Sequence, residues 1–265
     1  MTDPIPLKTD KPVAPTPALQ CKNMIAIASG KGGVGKTWLA VTLCHALAKR
    51  GEHVLLFDGD LGLANVDIQL GLTPKHDLGA VIDGTASLPG VVTPFKEGGF
   101  DIIAGRSGSG SLATLPTQKL SDLRNDLIAL ARNYDRAVVD LGAGVDRAVR
   151  QMAGPAAVTY VVVTDEPTSL TDAYAFIKLA RAANPKADLR VIVNMAASVS
   201  EGQKTYETIC KASETFLNYT PPLTGIVRRD PKVRDAIRAQ TPLLTRSPAS
   251  DAAKDVEAIA GRIAG

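Results

Sequence analysis

The sequence predicts an α/β fold: a mainly parallel central sheet flanked by helices on both faces. Three observations carry that expectation. Short apolar runs recur without alternation, as in Met24-Ile-Ala-Ile-Ala28 and Val158-Thr-Tyr-Val-Val-Val163, and strands buried on both faces read that way. Stretches with helical spacing separate these runs. A glycine-rich loop joins the first run to the first helix.

The elements follow in order. Met24–Ala28 is the first strand. Lys36 to Arg50 is a helix, with Leu39, Leu43, Ala46 and Leu47 at helical spacing and Gly51 where it should stop. Val54–Asp58 and Phe100–Ile103 are the second and third strands. Thr117 to Asn133 reads as a helix and Arg136–Asp140 as a strand. Val158–Val163 leads into a helix from about Ser169 to Ala183, with Thr168 or Ser169 as its N-cap. Asp188–Val193 is a strand and Glu201 to Leu217 a helix. Leu223–Val227 is a last short strand, and two short helices close the chain. Residues 1–22 carry Pro4, Pro6, Pro12, Pro15 and Pro17 and read as a flexible leader that stays out of the sheet. Residues 23–265 then form one domain.

Composition narrows the function classes. A chain of 265 residues suits one large α/β domain or two small ones. With 45% hydrophobic and 22% charged residues it is globular rather than disordered. Aromatics at 4% demand an aliphatic core and argue against a nucleic-acid surface built on stacked rings. The net charge of +3 permits an anionic partner without indicating one. No apolar run reaches the ~20 residues of a membrane-spanning helix, and the first twenty residues lack the apolar centre of a signal peptide. Cys21, Cys44 and Cys210 form no C-x-x-C pair, which suits a reduced, cytoplasmic protein. His45, His53 and His76 fall at no metal-ligand spacing, so a zinc site is not expected.

The chemistry sits in Gly30-Lys31-Gly32-Gly33-Val34-Gly35-Lys36-Thr37, which matches G-x-x-x-x-G-K-[ST] between a buried strand and a helix. Glycines let backbone N–H groups converge on phosphate oxygens, and the helix N-terminus adds partial positive charge. Lys36 is expected at the β- and γ-phosphates and the Thr37 hydroxyl on Mg²⁺. Trp38 is counted among the nucleotide-contacting positions, with its ring expected to pack under the loop. Asp58 and Asp60, at i and i+2 beyond the second strand, can both approach a metal–nucleotide site. Asp140 ends an apolar strand and is expected to support Mg²⁺. The following Leu141-Gly-Ala-Gly144 suits a γ-phosphate-sensing switch.

The second lysine of the loop, Lys31, makes Gly-Lys-Gly-Gly-x-Gly-Lys-Thr resemble the deviant phosphate loop of the MinD/ParA family of dimerising ATPases. The resemblance covers about Met24 to Leu244. It implies that ATP, with Mg²⁺, favours a homodimer and that hydrolysis to ADP releases it. It implies that Lys31 reaches the partner subunit's nucleotide as an arginine finger would. By the same resemblance Asp60 orients the attacking water, Asp58 lies near the Mg²⁺ shell and Asn65 helps hold the first switch. Val191-Ile-Val-Asn194 resembles the family's adenine-reading strand end, where an amide can both donate and accept. The segment from Gly225 through Asp230 resembles the loop beside the base, with Arg228 where a proline is usual.

Asp58-Gly-Asp-Leu-Gly-Leu-Ala-Asn-Val-Asp67 and Asp165-Glu-Pro-Thr-Ser-Leu-Thr-Asp-Ala-Tyr174 look closest to the FlhG (FleN) branch. That branch sets the number and placement of flagella, which implies FlhF-like GTPase or flagellar switch partners and recruitment to a cell pole or the inner membrane surface. Membrane contact draws little support from the last helix, whose apolar face offers only Val256, Ile259, Ile263 and alanines. Two rival readings stand beside this one. A ParA-like partitioning ATPase would bind DNA nonspecifically through Arg228, Arg229, Lys232, Arg234 and Arg238, although a solvated helix face explains those charges more simply. A regulatory adaptor would bind nucleotide with little hydrolysis.

Overall fold

The computed structural model describes residues 20–60, 65–105 and 114–265. Eight strands form one sheet in the order β3-β4-β2-β5-β1-β6-β7-β8. They are β1 (Cys21–Ala28), β2 (Val54–Gly59), β3 (Thr93–Phe95), β4 (Phe100–Ile103), β5 (Arg136–Leu141), β6 (Ala156–Val163), β7 (Leu189–Ala196) and β8 (Leu223–Arg228). Every pairing is parallel except that of β3 with β4. The helices are α1 (Lys36–Ala48), α2 (Val66–Leu70), α3 (Leu78–Ile82), α4 (Thr117–Ala131), α5 (Arg147–Ala153), α6 (Pro167–Ala183), α7 (Val199–Leu217), α8 (Pro231–Arg238), α9 (Leu243–Arg246) and α10 (Asp251–Ala264).

Strand alternation builds two apolar layers. Met24, Ala26 and Ala28 of β1 enter one layer with Leu123 of α4, Met152 of α5, Phe176 of α6 and Ile209 of α7. Ile25 and Ile27 enter the other with α1, Leu243 of α9 and Val256 of α10. Unbroken apolar strands therefore mark a sheet covered on both sides. Helix α1 lies between the sheet and α10 and is buried on most sides, which is why it shows no polar face. The apolar face of α10 is used here too: Val256 and Ile259 are almost fully buried.

Register positions the site. Asp140 pairs with Ile27 of β1 and with Asp58 of β2, so both acids lie level with the end of β1. Chain order reverses around β1, which sits between β5 and β6. Ligands of doubly wound sheets bind at such a reversal, beyond the strands' carboxyl ends.

Several expectations are corrected. Cys21 and Lys22 belong to β1 rather than to the leader expected over residues 1–22, and the Cys21 N–H donates to the Pro155 carbonyl; residues 1–19 lie outside the described ones. Strand β3 was not expected. It has three residues and contains Pro94, which an edge strand tolerates because one side needs no donor. Helices α2, α3 and α5 were also missed, being five to seven residues long. Three helices close the chain rather than two short ones, and α10 runs for 14 residues. The N-cap of α6 is Glu166, followed by Pro167 at the first helical position. Ser169 instead accepts a hydrogen bond from the Thr164 N–H.

Candidate nucleotide site

The phosphate loop runs from β1 into α1 and is locked by what its glycines lack. A β-carbon on Gly30 would run into the Asp172 backbone of α6. Gly33 and Gly35 have φ of 81° and 80°, a region that side chains disfavour. A β-carbon on Gly35 would also lie 2.5 Å from Asn194 Nδ2. Val34 is buried, and its carbonyl accepts a 2.8 Å bond from that same Asn194 amide. On the other side, the Ser29 hydroxyl donates to the Lys31 carbonyl at 2.8 Å, and the Gly144 N–H donates to the Ser29 carbonyl at 3.0 Å. The loop thus connects directly to the segment after β5.

Lys36 is buried, and its Nζ lies 3.1 Å from Asp140 Oδ1. Asp140 is completely buried. Burial raises its pKa, and Lys36 and the Thr37 hydroxyl oppose that rise. Its other oxygen, Oδ2, has no hydrogen-bond partner among the described residues. Asp58 is also buried and accepts backbone N–H bonds from Asp60 at 3.1 Å and from Asn65 and Val66 at 3.3 Å. Burial first, and then the Asp140 charge, push its pKa up to about 7. The Asp60 carboxylate reaches the neighbourhood of Gly142, whose β-carbon would lie 3.6 Å from Oδ1. Residues 61–64, including Gly62 of the expected first switch, lie outside the described ones.

These groups fit a magnesium ion that arrives with a nucleotide. Among the described residues no cluster of three His, Cys, Asp or Glu side chains forms a ready cation cage. Mg²⁺ does not need one: it keeps several waters and binds through one or two side chains plus substrate phosphates. Asp58 and Asp140 offer two carboxylates and Thr37 a hydroxyl that would suit such an ion, and Asp140 Oδ2 is a buried acceptor without a partner among the described residues.

Lys31 stands apart from Lys36. It lies on the rim, 36% exposed, with Nζ 2.5 Å from Glu166 Oε2 and 2.8 Å from Thr168 Oγ1 at the start of α6. That contact holds the Glu166 carboxyl below its ordinary pKa. The sequence carries no signal for either pairing, although the Asp165–Tyr174 stretch that holds both partners bears the family resemblance.

The remaining predicted residues divide. Lys36 meets Asp140, Asp58 is level with Asp140 across the β2–β5 pair, and Asp60 lies near Gly142, while Lys31 turns to Glu166 and Val34 is buried in the core. Asn194 lies beside them, buried, supporting the loop through Val34. Trp38, counted among the nucleotide-contacting positions, is buried and borders a small cavity with Leu70, Ala236 and Leu243. Asp230 is the N-cap of α8, accepting from Lys232 N–H at 2.9 Å and from Ala252 N–H at 3.3 Å. Arg228 leaves the expected basic face, because Asp255 and Asp251 bind its guanidinium. Arg229, Lys232, Arg234 and Arg238 remain exposed.

Comparison with known proteins agrees with this arrangement. Residues 25–243 match the CobQ/CobB/MinD/ParA nucleotide binding domain family. The antiactivator FleN of Pseudomonas aeruginosa is 39% identical over 240 residues, covering 91% of this chain and 85% of that protein. The flagellum site-determining protein YlxH of Helicobacter pylori is 35% identical over 190 residues, covering 72% of this chain and 64% of its own. Among solved structures, the MinC:MinD cell division complex of Aquifex aeolicus superimposes with a TM-score of 0.76 at 26% identity, covering 92% of this chain and 96% of that chain. The phosphate loop with its second lysine, the carboxylates beside it and these matches agree: the chain belongs to the MinD/ParA family of nucleotide-binding proteins.

Proposed function

We propose that the protein is a Mg-dependent ATPase switch that dimerises with ATP and controls the number or placement of flagella. The observation that carries the reading is the pair of lysines in one loop. Lys36 points into the site, and Lys31 lies on its rim where a second subunit can meet it. In this mechanism the loop amides and Lys36 bind the β- and γ-phosphates. Thr37, Asp58 and Asp140 would hold Mg²⁺, which would supply charge neutralisation to the phosphates. Asp60 orients a water toward the γ-phosphorus. Lys31, released from Glu166, stabilises charge on the partner subunit's nucleotide. A fold-supported finger that must come from another subunit makes turnover slow for the monomer.

The flagellar assignment draws on the likeness to FleN and YlxH. A cytoplasmic location, recruitment to a pole or inner membrane surface, and FlhF-like or flagellar switch partners belong to the same reading. No described helix is long and apolar enough to cross a membrane, and the buried face of α10 does not support peripheral contact through that helix. The exposed arginines and lysine of α8 keep a ParA-like, DNA-binding reading in play as the second choice.

Size-exclusion chromatography with light scattering tests the switch, run with ADP and with ATP plus Mg²⁺. Asp60→Ala slows turnover, so it should dimerise with ATP and stay monomeric with ADP. Adding Lys31→Ala should abolish that dimer. A monomer in every state, with ATP binding demonstrated separately, overturns the dimer and leaves a nucleotide-binding adaptor.

A further inference from the structure

We infer that α10 positions the nucleoside-binding rim of the site, with Asp255 as a positioning residue that acts through Arg228. This rests on the ATP-binding reading and extends it. The direction of the nucleoside follows from the sheet. Asp58 and Asp140 end β2 and β5, on one side of β1. The γ-phosphate end and its cation belong on that side. β6, β7 and β8 lie on the other, so a nucleoside leaves the loop toward the ends of β7 and β8. Asn194 and Met195 of β7 lie there, close against Gly35. The neighbouring rim is residues 228–230, where the Arg229 N–H donates to the Ala196 carbonyl at 2.8 Å.

β8 is the edge strand, so no further strand among the described residues steadies this rim. The first turns of α10 do so instead. Arg228 Nε and Nη2 each donate at 2.8 Å, one to each oxygen of Asp255. The Arg228 backbone N–H donates to the same carboxylate at 3.0 Å. Arg228 Nη1 lies 3.0 Å from Asp251. Two residues on, Asp230 accepts the Ala252 N–H of α10. A bidentate fork fixes orientation as well as distance.

Helix α10 is itself fixed to the phosphate side. Val256, Ile259 and Ala260 share an apolar layer with Leu39 and Leu43 of α1, the helix that begins at the phosphate loop. Ile259 sits where a β-carbon on Gly225 of β8 would go. One helix therefore grips both the phosphate end and the nucleoside end, and sets the spacing between them.

The test compares two ligands by titration calorimetry: Mg-ADP, which has a nucleoside, and Mg-tripolyphosphate, which does not. Asp255→Asn should weaken ADP binding about tenfold and leave tripolyphosphate within about twofold of wild type. Arg228→Lys keeps the charge, loses the fork and should show the same split if Asp255→Asn folds poorly. Parallel loss for both ligands, or no loss for ADP, overturns the inference. A wild-type chain that binds tripolyphosphate but neither ADP nor ATP overturns the ATPase reading itself, and the inference with it.

Discussion

The two flanks of the phosphate loop are built on opposite terms. On the β2–β5 flank, Asp58 and Asp140 are buried level with each other, Asp140 pairs with the buried Lys36, and its other oxygen has no partner among the described residues. On the β7–β8 flank, Arg228 is paired with Asp255, and Asp230 accepts backbone N–H groups of α8 and α10. The first flank holds excess negative charge that a bound cation would relieve. The second is a finished scaffold. Chemistry belongs where charge is left unbalanced, and recognition of a rigid ring system belongs where the walls are already set.

Lys36 separates the two flanks most sharply. Lys36→Ala removes the cation paired with Asp140 among the described residues and leaves a buried acid without it. Nucleotide binding should be lost, and stability should fall by about 3 kcal/mol; calorimetry with ATP and thermal melting check both effects. A variant that melts like wild type would show that Asp140 simply takes up a proton.

A smaller effect is expected at the rim. Glu166→Ala with Thr168→Ala frees Lys31 from its own chain without disturbing the core. The melting temperature should hold, as for most exposed pairs, while the ATP concentration that half-dimerises Asp60→Ala falls about threefold. Light scattering across an ATP titration measures this. An unchanged midpoint would mean that the intrachain contact does not compete with the dimer.

The smallest effect is a pH dependence. Asp58 has its pKa pushed up to about 7, above its unfolded value. Between about pH 4 and 7 the folded chain therefore holds a proton that the unfolded chain has released. Stability must fall as pH rises through that window and level off above it. Nucleotide-free protein should melt higher at pH 5.5 than at pH 7.5 relative to Asp58→Asn, and Mg-ADP should narrow the gap. An identical profile in Asp58→Asn would locate the titration elsewhere.

The first flank was legible in the sequence because its signals are local. Gly30 to Thr37 is one contiguous motif, and Asp58 and Asp140 each end an apolar run. Their meeting follows from a parallel sheet. The second flank was not legible. Arg228 and Asp255 stand 27 residues apart with no pattern linking them, and in sequence Arg228 looked like one more cation of a basic face. Lys31 and Glu166 are 135 residues apart, and only packing of α6 against the loop brings them together. The missed elements share a cause as well. Strand β3 and helices α2, α3 and α5 are too short to show a period, and tertiary contacts decide them.

Gly30 has a consequence outside chemistry. Its missing side chain makes room for the Asp172 backbone, so the loop and α6 occupy one seam. Every amino acid reachable from a glycine codon by a single nucleotide change carries a β-carbon, and every one would press on that same peptide group. The position therefore has no neighbour in the genetic code that the fold accepts unchanged. A mutational scan of this gene should find Gly30 as intolerant as Lys36, for reasons of space rather than catalysis.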